Sequence, residues 1–254
     1  MNIFFDNFEK YANPDVYDKQ YGSYMKDLPL LLEWATKQGG RVGDLACGTG
    51  RITLPLAQQG FTLTGVDLQE GMLNTAREKS KELTIHWVLQ DCTKLDLQQK
   101  YRFMYMTGNS FQHFLTNDSQ NNLLQSIHHH LENAGIFIFG TRYPKLKELA
   151  EIDESVQEYT NHRGQKIQET NLEEYNPLTQ ILHCKSIRKI LNEEGKIDEI
   201  QHDSISLRYV YPLEMERLLT QNGFKIEHAY GSWDKSPLSD DSHEMIYVCR
   251  KISS

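Results

Sequence analysis

Four polar residues stand where predicted strands end, and they are the groups in this chain best placed to bind a nucleotide-like ligand. Asp44, Asp67 and Asp91 follow the first three apolar runs, and Asn109 follows the fourth. Parallel strands bring their carboxyl ends to one edge of a sheet, where such folds bind ligands. Four polar residues at successive strand ends are a stronger signal than any one of them alone.

The first strand end continues into a turn of small residues, Ala46-Cys47-Gly48-Thr49-Gly50. Gly48 and Gly50 permit positive φ and carry no side chain, so a ligand can lie against backbone N–H groups. The helix predicted over 52–59 would direct the positive end of its dipole at that ligand. A short glycine pattern is weak evidence for any particular ligand. The identity of the ligand therefore has to be inferred from the neighbouring acidic residues.

The acids distinguish between two nucleotide cofactors. An NAD-binding turn usually places glycine directly after the strand, whereas Asp44 occupies that position here. A carboxylate there would repel a pyrophosphate but would suit an ammonium group. Asp67 stands where an acid commonly bonds ribose hydroxyls. Together the two acids predict S-adenosylmethionine, an adenosine that carries a cationic amino-acid tail.

The elements that must position these residues follow from the order of apolar runs. Strands are predicted at 41–45, 61–66, 85–89, 103–106 and 136–139, alternating with helices at 28–37, 52–59, 70–81 and around 123–131. The last of these strands follows a predicted turn at Asn133-Ala134-Gly135. A helix from Pro212 and strands at 224–230 and 245–250 complete the core. Such alternation indicates βαβ units and a parallel sheet.

Two regions lie outside this alternation. Residues 1–27 are rich in aromatic residues and predict a helical cap, with one apolar face at 4, 8 and 11, and with Tyr17 and Tyr21 one turn apart. A lid whose tyrosines enclose a ligand is the alternative to a purely structural cap. An acidic helix is predicted at 148–158, and the imperfect alternation that follows, with turns at 176–177 and 194–195, predicts an antiparallel insertion over 145–208.

Composition narrows the function classes. The formal net charge of −8 disfavours binding along a nucleic-acid backbone, which needs a basic surface. Four cysteines far apart in the chain suit a reducing cytoplasm better than a disulfide framework. There is no apolar run of 18 residues and no basic, signal-like start, so we expect neither a membrane span nor secretion. The predicted localisation is cytoplasmic.

Three motifs together resemble those of class I S-adenosylmethionine-dependent methyltransferases. Val42–Gly50 matches the family's first motif, Leu63–Leu73 the second and Gln90-Asp91-Cys92 the third, and the similarity covers about 30–140 and 208–251. It implies a Rossmann-like α/β fold: a seven-stranded sheet of order 3-2-1-4-5-7-6, the last strand antiparallel. The core would be 28–144 and 209–254, with the antiparallel insertion after strand 5 acting as a substrate lid.

The resemblance also implies how the cofactor is held. Asp67 would bind the ribose, Asp91 would accept from the adenine amino group, and Cys92 would offer its backbone N–H. Tyr21 would meet the methionine end. The full predicted cofactor-binding set is Tyr21, Asp44, Ala46, Cys47, Gly48, Gly50, Asp67, Leu68, Met72, Asp91, Cys92 and Asn109.

Catalysis by such an enzyme rests on proximity and orientation, sometimes with a base for the acceptor proton. Asn109 and His113 are the predicted catalytic residues. His113 could orient or deprotonate an amine or hydroxyl, since its unperturbed pKa lies near neutrality; its alternative role is to fix the loop. No metal is predicted, because His128, His129 and His130 would diverge around a helix as a solvated face.

The predicted function is methylation of a small molecule at N or O by a monomer or homodimer. Methylation of RNA or protein is an alternative that the acidic balance disfavours. A non-catalytic S-adenosylmethionine-binding regulatory domain is another, because intact binding residues do not prove turnover. A dehydrogenase is disfavoured by the acid at the first strand end.

Overall fold

The computed structural model describes residue 7 and residues 11–150, 153–160, 164–192 and 194–252. These residues form two compact units. The larger comprises Tyr11–Tyr143 and 210–252, and the smaller comprises Pro144–Tyr209 with Asn7. The apolar helical face predicted at positions 4 and 8 lies outside the described residues.

The larger unit is built on one seven-stranded sheet in the order β10-β11-β5-β4-β1-β2-β3. β1 to β5 pair in parallel, whereas β11 is antiparallel to both β5 and β10. The predicted order and the antiparallel last strand are therefore confirmed. The strands are β1 Arg41–Leu45, β2 Thr62–Asp67, β3 Ile85–Leu89, β4 Tyr101–Met106, β5 Leu131–Arg142, β10 Phe224–Tyr230 and β11 Glu244–Lys251.

Helices cover both faces of this sheet because its strands are apolar on both sides. Along β5, Ile136 and Ile138 belong to one apolar cluster, whereas Phe137 and Phe139 belong to the other. This alternation places successive side chains on opposite faces. The helices are α1 Pro14–Tyr21, α2 Leu28–Gln38, α3 Thr53–Gln58, α4 Glu70–Lys79, α5 Asn117–His130 and α7 Pro212–Gln221.

β5 is longer than the predicted strand at 136–139, since it runs from Leu131 to Arg142. The predicted turn at Asn133-Ala134-Gly135 is wrong: these residues lie within the strand. Ala134 adopts a φ of 59°, and the pairing with β4 shifts between Tyr101 and Phe103. The turn-like residues thus form an irregularity inside the strand, and pairing with β4 and β11 keeps the chain extended around it.

The smaller unit is a four-stranded antiparallel sheet in the order β6-β7-β8-β9, preceded by a short helix. Its elements are α6 Leu146–Leu149, β6 Asp153–Thr160, β7 Lys166–Asn176, β8 Ile181–Leu191 and β9 Ile197–Arg208. The acidic helix predicted at 148–158 is wrong over 153–158, because pairing with β7 extends 153–160 as a strand. The turns predicted at 176–177 and 194–195 connect successive strands.

Local hydrogen bonds and a small apolar cluster hold this unit together. The Asn176 side chain accepts from the backbone N–H of Leu178 at 2.9 Å, which fixes one turn. Leu149, Leu182 and Tyr209 are buried against one another. Arg188 on β8 pairs with Glu169 at 2.8 Å and with Asp203 at 3.4 Å across the neighbouring strands.

Among the helices that the structure describes, none is long and apolar enough to cross a membrane.

Candidate cofactor site

The turn after β1 is left-handed at three positions. Ala46, Gly48 and Gly50 have φ values of 54°, 56° and 83°. For glycine this region is free of steric strain, but for Ala46 it is unfavourable, so the surrounding bonds must hold it. The next residue, Cys47, donates its N–H to Val66 O at 3.0 Å and thereby ties the turn to β2. α3 begins only at Thr53, one residue later than the predicted helix.

Asp67, the last residue of β2, is bound to this turn. Its Oδ2 accepts from the N–H of Gly48 at 2.7 Å, and its Oδ1 accepts from the N–H of Gln69 at 2.8 Å. Burial raises the pKa of the carboxyl, and these backbone donors oppose the rise. The contact brings together two predicted cofactor-binding residues that are 19 positions apart in the sequence.

Asp44 lies beneath the turn and is 2% exposed. Its Oδ2 accepts from the hydroxyls of Thr53 at 2.6 Å and Tyr105 at 2.9 Å. Burial raises the pKa of Asp44 to about 7, although both hydroxyl donors act in the opposite direction. A carboxyl in this state is half ionised at neutral pH, and a bound cation would favour its charged form.

Asp91 caps the short 3₁₀ turn Cys92–Lys94. Its Oδ1 accepts from the N–H and the hydroxyl of Thr93, both at 2.8 Å. Within the described part of the chain, no hydrogen bond reaches its Oδ2, which leaves an acceptor available at the end of β3. Of the other predicted residues, Cys92 and Met72 are buried in the core, whereas Leu68 is 41% exposed.

The N-terminal helix α1 packs directly on the glycine turn. A Cβ placed on Gly48 would lie 3.6 Å from the ring of Tyr17, so the tyrosine is in contact with the turn. Asp18 accepts from the Thr49 hydroxyl at 2.6 Å and forms an ion pair with Lys79 of α4. The ring of Tyr21 lies 5.1 Å from that of Tyr17, centroid to centroid, and its side chain is partly exposed.

The loop after β4 carries both predicted catalytic residues. Asn109 has a left-handed φ of 57° and accepts the N–H of Gln112 on its backbone oxygen at 3.0 Å. His113 Nε2 lies 2.9 Å from the hydroxyl of Tyr11, which reaches it from the N-terminal segment. Burial, assisted by the positive charge of Arg142, lowers the pKa of His113 to about 4. The imidazole is therefore neutral at pH 7, and its Nε2 can accept a hydrogen bond from the Tyr11 hydroxyl.

The predicted solvated face of three histidines is wrong in part. His129 is exposed, but His130 is 3% exposed, accepts the N–H of Leu97 at Nε2 and bonds Ser126 O through Nδ1. His128 contacts the edge of Phe224. No cluster of three His, Cys, Asp or Glu side chains that could hold a metal occurs among the described residues.

Sequence reasoning missed three hydroxyls in this region. Thr53 and Tyr105 bind Asp44, and Tyr11 binds His113. Tyr11 lies in the aromatic N-terminal segment, and that aromatic composition is the sequence feature that pointed to a role for this tyrosine at the site. Nothing local marked Tyr105, because it is 61 positions from Asp44 and reaches it only through the pairing of β1 with β4.

The residues present fit S-adenosylmethionine. The left-handed turn brings Asp67 beside Gly48, Asp44 is a carboxyl that a cation would ionise, and Asp91 Oδ2 is an available acceptor. Asp67 adds a second carboxylate beside the turn. This acidic set suits an ammonium group, hydroxyls and an amino group, and it opposes a pyrophosphate.

Comparison with known proteins agrees with this fit. Residues 42–135 match a family model described as a methyltransferase domain. The chain is 28% identical to the malonyl-[acyl-carrier protein] O-methyltransferase of Acetivibrio thermocellus, over 78% of this chain and 69% of that protein. It is 26% identical to the dTDP-3-amino-3,4,6-trideoxy-alpha-D-glucopyranose N,N-dimethyltransferase of Streptomyces venezuelae, over 49% of this chain and 54% of that protein.

A solved structure has the same fold. An S-adenosylmethionine-dependent methyltransferase from Clostridium acetobutylicum superposes with a TM-score of 0.77 at 18% identity, covering 97% of this chain and 99% of that one. The chain therefore carries a methyltransferase domain, and its fold is that of a solved S-adenosylmethionine-dependent methyltransferase.

Proposed function

We propose that this enzyme transfers a methyl group from S-adenosylmethionine to a nitrogen or oxygen atom of a small molecule. The observation that carries the proposal is the placement of three acids at successive strand ends around one left-handed glycine turn. Asp67 is bonded to that turn through Gly48, and Asp44 lies beneath it. The acids differ in their surroundings, so each is suited to a different part of the cofactor.

Each acid has a role that its bonds support. Asp44 would pair with the ammonium group of the methionine part, since a cation favours its ionised form. Asp67 would bind the ribose hydroxyls beside Gly48, and Asp91 would accept from the adenine amino group through Oδ2. Backbone atoms of Ala46, Cys47, Gly50 and Cys92 and the side chains of Leu68 and Met72 complete the proposed set, with Tyr21 and Asn109 toward the methionine end.

The cofactor supplies a methyl group that its sulfonium already activates, so the protein needs no covalent nucleophile. What the chain contributes is orientation of the acceptor and exclusion of water. Neutral His113 is suited to accept a hydrogen bond and, with its pKa lowered to about 4, is only a weak base. The hydroxyl of Tyr11 lies at its Nε2 in the present arrangement. An acceptor O–H or N–H would reach His113 by displacing Tyr11, or would bond the Tyr11 oxygen instead.

Two observations bear on the acceptor: the names of similar proteins leave nitrogen and oxygen both open, and the net charge disfavours RNA. The chain is similar both to a protein named as an O-methyltransferase and to one named as a sugar N,N-dimethyltransferase. The net charge of −8 is unfavourable for an RNA acceptor. The substrate-lid role of 145–208, the cap at 1–27, a cytoplasmic location and a monomeric or dimeric state stay predictions.

A methyl-transfer screen tests the proposal. Purified enzyme is incubated with methyl-labelled S-adenosylmethionine and a panel of small amines, amino sugars, alcohols, phenols and carboxylic acids, with RNA and protein as separate acceptors, and label in the products is counted. Label should enter one chemical class, and Asp67→Ala should reduce incorporation at limiting cofactor by about tenfold or more, since a charged hydrogen bond contributes about 1.5–3 kcal/mol. Glu82→Gln, which changes an exposed acid in the loop before β3, away from the strand ends that carry the site, is the control. Label in RNA or protein alone would refute the small-molecule acceptor.

A further inference from the structure

Arg51 follows directly after the glycine turn, and its guanidinium joins three separate segments of the larger unit. It donates to both carboxylate oxygens of Asp27, at 2.8 and 2.5 Å, and to the backbone oxygen of Tyr24 at 2.5 Å. A further N–H reaches the hydroxyl of Thr107 at 3.2 Å. The side chains of Arg51 and Asp27 are only 9% and 1% exposed, so the bonds between these two side chains form away from solvent.

Asp27 departs from the usual use of an acid at its position. It is the N-cap residue of α2, where a carboxylate commonly accepts N–H groups of the first helical turn. Here its side chain makes no capping hydrogen bond, and both oxygens bind Arg51 instead. Asp27 also raises the pKa of Arg51, so the guanidinium stays charged at any pH at which the protein is folded.

The other two partners stand at the ends of functional segments. Tyr24 lies three residues beyond the end of α1, the helix that packs on the glycine turn. Thr107 is the first residue after β4, and its backbone oxygen accepts from the N–H and the hydroxyl of Ser110, at 3.2 and 2.8 Å. Thr107 therefore anchors the loop that carries Asn109 and His113.

We propose that Arg51 is a positioning residue that couples the docking of α1 on the glycine turn to the conformation of the loop at 107–113. Arg51 directly follows the glycine turn, so a ligand that orders this turn also orders α1 and the loop at 107–113. The planar fork of arginine is what allows the simultaneous bonds, and the single ammonium of lysine cannot replace it. The ligand part of this inference rests on the proposed cofactor, whereas the coupling itself does not.

Hydrogen exchange measured by mass spectrometry tests the coupling in the protein without ligand. The variants are Arg51→Lys, which keeps the charge, and Thr107→Val, which removes only the bond to the loop. Arg102→Lys is the matched control, since Arg102 forms a solvent-exposed pair with Glu132 at 3.1 Å. We expect Arg51→Lys to speed exchange about fivefold or more in both 11–24 and 107–113, because local protection depends on these bonds. Thr107→Val should loosen 107–113 alone, and Arg102→Lys neither segment.

S-Adenosylhomocysteine is then the probe for the ligand arm. In the wild type it should slow exchange in both segments. In Thr107→Val it should still protect 11–24 and bind within about threefold of wild-type affinity, but protection of 107–113 should be lost. In Arg51→Lys the affinity should fall by about tenfold, as for loss of charged hydrogen bonds.

Two results would overturn the inference. One is an Arg51→Lys protein whose exchange rises in 11–24 but not in 107–113, because the two segments are then independent. The other is a Thr107→Val protein in which the ligand protects 107–113 as in the wild type. If Arg51→Lys does not fold, Thr107→Val decides alone. A wild type that fails to bind S-adenosylhomocysteine would refute the proposed cofactor, and the ligand-free comparison would still decide the coupling.

Discussion

Asp44 is the residue at which structure and proposed chemistry depend most on each other. A carboxyl with a pKa of about 7 is partly protonated at neutral pH, and only its ionised form pairs with an ammonium group. The structure supplies a reason for the raised pKa, since Asp44 is buried and the two hydroxyls of Thr53 and Tyr105 oppose the effect of burial without cancelling it. Cofactor binding should therefore be linked to the ionisation of Asp44.

This linkage predicts the pH dependence of binding. Because the ammonium favours ionised Asp44, the complex holds fewer protons than the free enzyme, and affinity falls as pH falls through 7. Between pH 8 and pH 6 the dissociation constant for S-adenosylhomocysteine should rise about tenfold. Asp44→Asn should bind more weakly at pH 8 and show a flat profile when titrated by calorimetry. An Asp44→Asn profile as steep as the wild type would assign the linkage to another group.

His113 predicts a pH effect on stability instead of binding. Its folded pKa of about 4 lies below its ordinary value of 6.5, so the unfolded chain binds more protons between these values, and stability falls as pH falls through that window. His113→Gln should remove this loss. The difference in unfolding free energy between variant and wild type should shift by about 2 kcal/mol in favour of the variant from pH 7.5 to pH 5.

Urea denaturation at the two pH values measures that shift. The raised pKa of Asp44 acts in the opposite direction, but Asp44 is present in both proteins and cancels in the difference. A difference that stays constant with pH would mean that His113 is not held neutral by the fold.

The types of the site residues could be predicted from the sequence, but their contacts could not. The acids at strand ends and the glycines are local signals, readable from spacing. The bonds from Tyr105 to Asp44, from Tyr11 to His113 and from Arg51 to Asp27 join residues 61, 102 and 24 positions apart. Such bonds depend on sheet register and helix docking, which no local pattern of residues specifies.

At the scale of the elements, β2 packs closely against β3 because Gly65 of β2 has no side chain. A Cβ on Gly65 would lie 2.3 Å from the ring of Trp87, and the same ring would be 2.9 Å from a Cβ on Gly50. The indole N–H of Trp87 is fixed by the Ser80 hydroxyl at 3.0 Å. The ring therefore occupies the space beside both glycines, and the glycine turn rests against it.

Gly65→Ala should lower the unfolding free energy by about 1–3 kcal/mol, the usual effect of overpacking. Gly71→Ala is the matched control on α4, where the nearest atom to a new Cβ is Pro14 Cγ at 3.8 Å. That change should be neutral or should stabilise by about 0.4–1 kcal/mol. Chemical denaturation of both variants measures the contrast. Equal stability of the two would mean that Trp87 moves aside freely.

Elements were predictable where local pattern and tertiary context agree. β1 and β3 have the predicted bounds, because short apolar runs between turn residues favour strands and both runs pair with β2 in the sheet. The segment 153–160 shows the opposite case. Its acidic, helix-favouring composition gave no sign that β7 would pair with it, and backbone pairing outweighed local propensity.

At the scale of the whole molecule, strand order follows from the family motifs, whereas the acceptor does not follow from the fold. One sheet of seven strands positions the glycine turn, and a second sheet of four strands forms its own unit. Loops and insertions determine which acceptor a fold of this class accepts. That this protein binds an adenosine-containing cofactor is therefore the most general claim that its fold supports.

Calorimetric titration of the wild-type protein with S-adenosylhomocysteine and, separately, with NADH tests that claim most directly. The acids at Asp44, Asp67 and Asp91 predict one site for S-adenosylhomocysteine, with a dissociation constant between about 1 µM and 1 mM, as enzyme ligands usually show. NADH should give no heat of binding, because its pyrophosphate would face these carboxyls. Saturable binding of NADH with none of S-adenosylhomocysteine would contradict the account.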